Sequence, residues 1–241
     1  MENAEYLRAL RDNKEDLNTC ASSKCTHCTA EFTVDEKTHR KHRSYLTKKK
    51  EYGGSLRFDF KHRKLMEGKV DTGAYNSISM SRGGVDWHSH PSRCLNDKTC
   101  ALGLPSPMDL QNITLGVLFG TVAHLVYARE GTYLVQVDSA LLKKLTVSLE
   151  AVMQFFADVD KTFSDLHEEF IKRPNEPYKV YCRRWRRIAR LKGFRIKLFT
   201  GHKIPRIRFK CLCDLLKSGR ELTPRVTVPR ELEKAAARTS H

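Results

Sequence analysis

The sequence predicts a mixed α/β fold of the α+β type, a sheet flanked by helices, and three observations carry that expectation. Alternating, β-rich segments punctuated by glycine occupy residues 54–60 (GSLRFDF) and 70–80 (VDTGAYNSISM). Apolar residues recur at helical spacing across 139–170, through Leu141, Leu145, Leu149, Val152, Phe156, Val159, Phe163 and Leu166. The 241-residue chain is also 40% hydrophobic, enough for a real core, which excludes a disordered, collagen-like or low-complexity protein.

Residues 1–39 read as an N-terminal helical segment with a cysteine cluster. Residues 1–17 are densely charged and lack the apolar run of a secretory leader, so the eight cysteines are expected reduced and the location cytoplasmic or nuclear. After the two strand segments come GVDWHSH at 84–90 and a helix starting at Pro107. Two further strands follow, at 123–128 and 132–137, around the turn Arg129-Glu130-Gly131. Residues 139–170 then form one long helix or a twice-started one. The longest apolar stretch, 113–128, is broken by Thr114, Gly116, Gly120, Thr121 and His124. It falls short of the ~20 residues a membrane span needs, and reads as buried core rather than a transmembrane segment.

Charge is unevenly distributed. Residues 1–171 carry 23 basic and 23 acidic side chains, whereas 172–241 carry 21 and 5, so the whole net charge of +16 falls in the last 70 residues. With the prolines of Lys172-Arg173-Pro174-Asn175-Glu176-Pro177, this shift suggests a boundary between a balanced domain, 40–171, and a basic C-terminal extension, 172–241.

The chemistry concentrates in Trp87-His88-Ser89-His90-Pro91 and, downstream, Ser106-Pro107-Met108-Asp109. On a strand the two-residue period aims His88 and His90 at one face, and Asp109, one turn into a helix, could supply a third ligand. Two imidazoles, a carboxylate and a water make an open catalytic zinc site. The hydrolytic base must be a carboxylate not used as a ligand. Glu51, in Glu51-Tyr52-Gly53-Gly54-Ser55-Leu56, is the better placed; Glu67 competes with it.

Glu51 with Gly54 and Leu56, then His88-Ser89-His90-Pro91, then Ser106-x-x-Asp109, resemble the signature of the JAMM/MPN+ (JAB-domain) zinc metalloproteases across roughly residues 40–140. The resemblance implies an MPN/JAB-like, cytidine-deaminase-like mixed sheet and a deubiquitinase-like isopeptidase or peptidase. It makes His88, His90 and Asp109 ligands of Zn2+, Glu51 the general acid/base and Ser106 the donor to the oxyanion. Its partners would be ubiquitin, a ubiquitin-like protein or another polypeptide. The fifteen residues between His90 and Ser106 depart from the family, whose usual spacer is about half as long. That long loop resembles viral or otherwise divergent members and leaves substrate choice open.

Two other features point elsewhere. Cys20, Cys25, Cys28 and His39 resemble a small second zinc site, although ten residues separate Cys28 from His39 and only two separate His39 from His42, against about twelve and about three to five in a Cys2His2 finger. The more ordinary reading is a loop with unliganded thiols. In the extension, Arg183, Arg184, Trp185, Arg186, Arg187 and Arg190 interleave an aromatic with arginines. Such a surface would attract phosphate, with Trp185 stacking on a base, or an acidic partner. The ordinary reading is a solvated helix. The chain is therefore expected to be a hydrolase; the alternative is a catalytically silent scaffold whose basic region binds nucleic acid or an acidic partner.

Overall fold

The structure, a computed structural model, describes residues 30–59, 61–73, 84–91, 103–118, 121–145, 148–173 and 175–209. Its elements run β1 (Ala30–Val34), α1 (Glu36–Ser44), a 3-10 turn (Tyr45–Thr47), β2 (Tyr52–Asp59), β3 (Lys64–Thr72), β4 (Gly84–Ser89), α2 (Pro107–Leu118), β5 (Thr121–Ala128) and β6 (Gly131–Val137). They continue with α3 (Ser139–Leu145), α4 (Leu149–Ile171), α5 (Tyr178–Leu191), β7 (Phe194–Thr200) and β8 (Arg206–Phe209). The strands make one eight-stranded sheet in the order β7-β6-β5-β4-β2-β3-β1-β8. β4 runs parallel to β5 and β1 to β3, and the remaining neighbours are antiparallel. The expected α+β class, a mixed sheet with helices, is what the chain adopts.

Strand alternation divides the interior into two cores. Val126, Ala128, Tyr133, Val135, Phe194 and Ile196 face one way and pack with Leu110 and Ile113 of α2, Val159, Phe163 and Phe170 of α4, and Trp185 and Ala189 of α5. Phe32, Leu56, Leu65, Val85, Trp87, Leu125, Tyr127 and Phe199 make the other core, on which α1 lies with His42 stacked on Trp87 at 3.5 Å between ring centres. Every residue of β4 is buried, as a strand covered on both faces must be.

Local chemistry sets the helix starts. The Asp35 carboxylate accepts from the N–H groups of Lys37 and Thr38 and caps α1, and Ser148 Oγ accepts from Ala151 N–H to open α4. The helical run at 139–170 is thus twice-started. In β2 the register slips between Gly54 and Leu56, and Gly54 sits at φ 158°. A Cβ there would meet the Lys69 carbonyl oxygen at 1.9 Å, so β3 can lie this close only against glycine.

Three expectations need correction. β3 begins at Lys64 and ends at Thr72, earlier than the strand placed at 70–80, whose remainder lies largely outside the described residues. Of the N-terminal segment expected to be helical up to residue 39, residues 1–29 lie outside the described residues, Ala30–Val34 is strand β1, and the division at 39 falls inside α1. The boundary near residue 172 separates charge but not packing. Beyond it α5 buries Tyr181, Cys182, Trp185 and Ala189, β7 pairs with β6 along its whole length, and β8 pairs with β1. The arginines sit between these apolar positions on the outer face, so a count of charges saw the surface of the segment and missed its core.

Candidate metal centre

β4, α2 and β5 form a parallel strand–helix–strand unit, and the crossover helix carries Asp109 back to the end of β4 where the two histidines stand. His88 Nε2 lies 2.9 Å from His90 Nε2 and 3.2 Å from Asp109 Oδ1, and His90 Nε2 lies 3.2 Å from Asp109 Oδ2. These three residues are the one group among the described residues that could hold a metal ion. Ser89, between the histidines, points to the opposite face. Its Oγ accepts from Tyr52 N–H at 3.1 Å and donates to the Tyr52 carbonyl at 3.3 Å, locking β2 to β4. The backbone N–H of His90 donates to the Tyr127 carbonyl at 2.8 Å, which ties this residue to β5.

Ser106 and Asp109 first serve the helix. The Asp109 N–H donates to Ser106 Oγ at 3.1 Å and the Ser106 N–H donates to Asp109 Oδ2 at 2.7 Å, a reciprocal cap. The same carboxylate faces both imidazoles, so the start of α2 fixes its direction. Burial alone would raise the Asp109 carboxyl, but His88 and then His90 hold it well below the usual carboxylate range. Burial favours a neutral His90 ring, yet the hydrogen bond and charge of Asp109, with Glu51 and Glu130 behind it, lift His90 above its ordinary value.

Glu51 immediately precedes β2. Gly53 pairs with His88 in the antiparallel ladder, so Glu51 comes abreast of His90 on the same face, and Gly53 sets no side chain beside His88. Glu51 is buried. Desolvation raises its carboxyl, partly offset by the two histidines and reinforced by Asp109. Glu67 is on the other face: it pairs opposite Leu56 of the α1-side core, accepts from Lys41 Nζ at 2.6 Å and lies 3.4 Å from His42 Nε2. Of the two carboxylates, only Glu51 shares the face of His88 and His90.

The other sequence candidates divide. Cys20, Cys25 and Cys28 lie outside the described residues, while His39 is buried on α1 beside Tyr127 and does not join the metal-capable group. Trp185 is 2% exposed and packs on Phe163 at 5.0 Å, so it is core and cannot stack on a base. Arg184 is held by Glu176, at 3.1 Å to both oxygens, and by Glu169. Arg186 donates to the Cys182 carbonyl. Arg183, Arg187 and Arg190 are exposed along the outer face of α5.

Sequence reasoning missed two residues. His124 of β5 is fully buried, with its Nε2 2.6 Å from His88 Nδ1; sharing strand parity with Val126 and Ala128 was the only signal. Glu130, read as part of a turn, accepts from Tyr133 and Tyr178 hydroxyls at 2.7 and 2.8 Å, which joins α5 to the turn bordering the site. No family model, curated protein or solved structure matches this chain. No described helix is long and apolar enough to cross a membrane.

Proposed function

We propose that the chain is a zinc-dependent hydrolase of amide bonds, of the JAMM/MPN+ type, acting on a peptide or isopeptide bond in ubiquitin, a ubiquitin-like protein or another polypeptide. The observation that carries this reading is the convergence of His88 Nε2, His90 Nε2 and the Asp109 carboxylate at 2.9–3.2 Å, with Glu51 on the same face. In support of an MPN-like fold, a glutamate opens one strand, HSHP ends its neighbour, a crossover helix begins with S-x-x-D and a hairpin follows, all around a single mixed sheet.

The donor set fits zinc. Ligand atoms at about 2.0–2.1 Å from a tetrahedral zinc stand about 3.3 Å from one another, close to the separations here, and two neutral imidazoles with one carboxylate leave a position open. Bound there, zinc supplies a Lewis acid that acidifies water and polarises a carbonyl. Glu51, its carboxyl raised by burial, takes the proton of the attacking water and returns it to the leaving amine. Ser106 Oγ accepts from Asp109 N–H and keeps its own hydroxyl proton to donate to the developing oxyanion, a contribution of about 3 kcal/mol for one well-placed donor.

Zinc content of the full chain tests the site. Wild-type protein is expected to carry about one zinc and the His88→Ala, His90→Ala double variant close to none. Equal content in the two rejects the assignment. A second reading, a silent scaffold whose basic face binds nucleic acid or an acidic partner, draws on the exposed Arg183, Arg187 and Arg190. It predicts salt-sensitive binding that is indifferent to the loss of zinc.

A further inference from the structure

We infer that His124 is a positioning residue for the metal centre, a hydrogen-bond acceptor that selects the proton placement His88 needs to act as a ligand. The inference rests on the metal-site reading above. Three observations support it. His88 presents Nε2 to His90 and Asp109, at 2.9 and 3.2 Å. Its other ring nitrogen, Nδ1, meets His124 Nε2 at 2.6 Å. Both rings are out of contact with water, at 1% and 0% exposure, so solvent cannot replace the bond.

One proton sits between two ring nitrogens at this distance, and its owner decides what His88 can do. If His124 Nε2–H donates, His88 Nδ1 accepts. The remaining proton of a neutral His88 is then on Nε2, where it blocks the lone pair needed for a metal. If His88 Nδ1–H donates, Nε2 is free and His124 must carry its own proton on Nδ1. His124 Nδ1 is buried without a hydrogen-bond partner, so this second arrangement leaves a donor unsatisfied in the apo protein. Metal binding at His88 Nε2 selects that arrangement, and His124 in turn fixes the ring plane and raises the basicity of the ligand nitrogen. A buried histidine on an apolar strand is therefore coupled to the ligand through a single proton.

The test compares wild-type full-length protein with His124→Phe, which keeps a ring but cannot accept, and His124→Gln, whose side-chain oxygen can reach the place of Nε2. Zinc affinity is read by competition with a chromophoric chelator. His124→Phe is expected to bind zinc about 10–100-fold more weakly at unchanged stoichiometry, the usual cost of losing such a partner, and His124→Gln to recover most of the loss. In zinc-loaded wild-type protein, imidazole NMR should show a slowly exchanging proton on His88 Nδ1, a readout that needs no variant to fold. Affinity of His124→Phe within two-fold of wild type, or an unprotonated Nδ1 in the loaded protein, overturns the inference alone. If wild type holds no more zinc than the His88→Ala, His90→Ala variant, the metal reading fails and this inference with it.

Discussion

The two faces of strands β4 and β5 each bury a pair of histidines, and the pairs differ in what stands beside them. On the α2 side, His124 Nε2 lies 2.6 Å from His88 Nδ1, and His88 and His90 both face the Asp109 carboxylate. On the α1 side, His39 and His42 pack against Tyr127 and Trp87; their ring nitrogens make no hydrogen bond, although the Glu67 carboxylate comes within 3.4 Å of His42 Nε2. Asp109, Glu51 and Glu130 lift His90 above its ordinary value against its burial, whereas burial, then Arg43, depresses His39 to about 4, and burial depresses His42 and His124 as well. Residue type and burial are alike, and the partners differ. A single carboxylate near a buried histidine, such as Glu67 at 3.4 Å from His42 Nε2, does not mark a site; two imidazoles converging on one carboxylate do.

The largest effect expected from breaking this contrast comes from removing the cover of the α2-side face. A chain ending after Ile171 loses α5, β7 and β8, and with them the buried Trp185, Phe194 and Ile196. At about 1.5–3 kcal/mol for each large side chain, that loss rivals the 5–15 kcal/mol by which domains of ordinary stability exceed the unfolded state. Denaturant titration should show no cooperative transition. A native-like transition would mean that charge does mark a folding boundary at residue 172.

Glu51 and Glu67 test the contrast next, one on each face. Glu51→Gln is expected to keep zinc while turnover of an isopeptide-linked substrate falls by at least ~100-fold, the lower range for a lost general base. Glu67→Gln should leave turnover near wild type. Inverted results would move the base to the α1 side, where no metal-capable group lies among the described residues.

Acid probes the other pair. His39 binds its proton at about 4 when folded and at 6.5 when not, so the unfolded chain gains protons first as pH falls. Stability is full above about 6.5, falls by up to about 1.4 kcal/mol per unit down to about 4, and is flat below; the total is about 3 kcal/mol. Urea unfolding at pH 7 and pH 4.5 should show that His39→Phe loses markedly less stability than wild type. Parallel losses would mean that His39 does not titrate alone in its cavity. The smallest effect belongs to the outer surface: Arg183→Gln, Arg187→Gln and Arg190→Gln together should shift stability by roughly 0.5 kcal/mol or less per site and leave zinc content unchanged.

What could be read from sequence follows from how local each device is. The juxtaposition of His88 and His90 depends only on strand period, and that of Asp109 on a cap three residues long, so both were legible. Glu51 was legible because glycines mark where β3 and His88 come close. His124 was not, since its partner belongs to a neighbouring strand and nothing in AHLVYA reveals the register. α5 and β7 were misread for a different reason. Tyr181, Trp185 and Ala189 recur at helical spacing, and Phe194 and Ile196 alternate, yet the basic residues between them dominated the composition. Periodicity, which locates a core, should have outweighed net charge, which describes only what faces water.

The pairing of β8 with β1, which joins Phe209 to Ala30, orders events during synthesis. A growing chain completes β4, α2 and β5, and thus all the candidate ligands, well before the two strands that close the sheet beside β6 and β1 have been made. Until then both of those strands offer unpaired backbone, a template for association with other chains. The most distant contacts in sequence are also the last to become available, so formation of the native sheet should be slow and should finish only after residue 209 has left the ribosome. Refolding yield should accordingly fall with protein concentration more steeply than the stability of the finished fold would suggest.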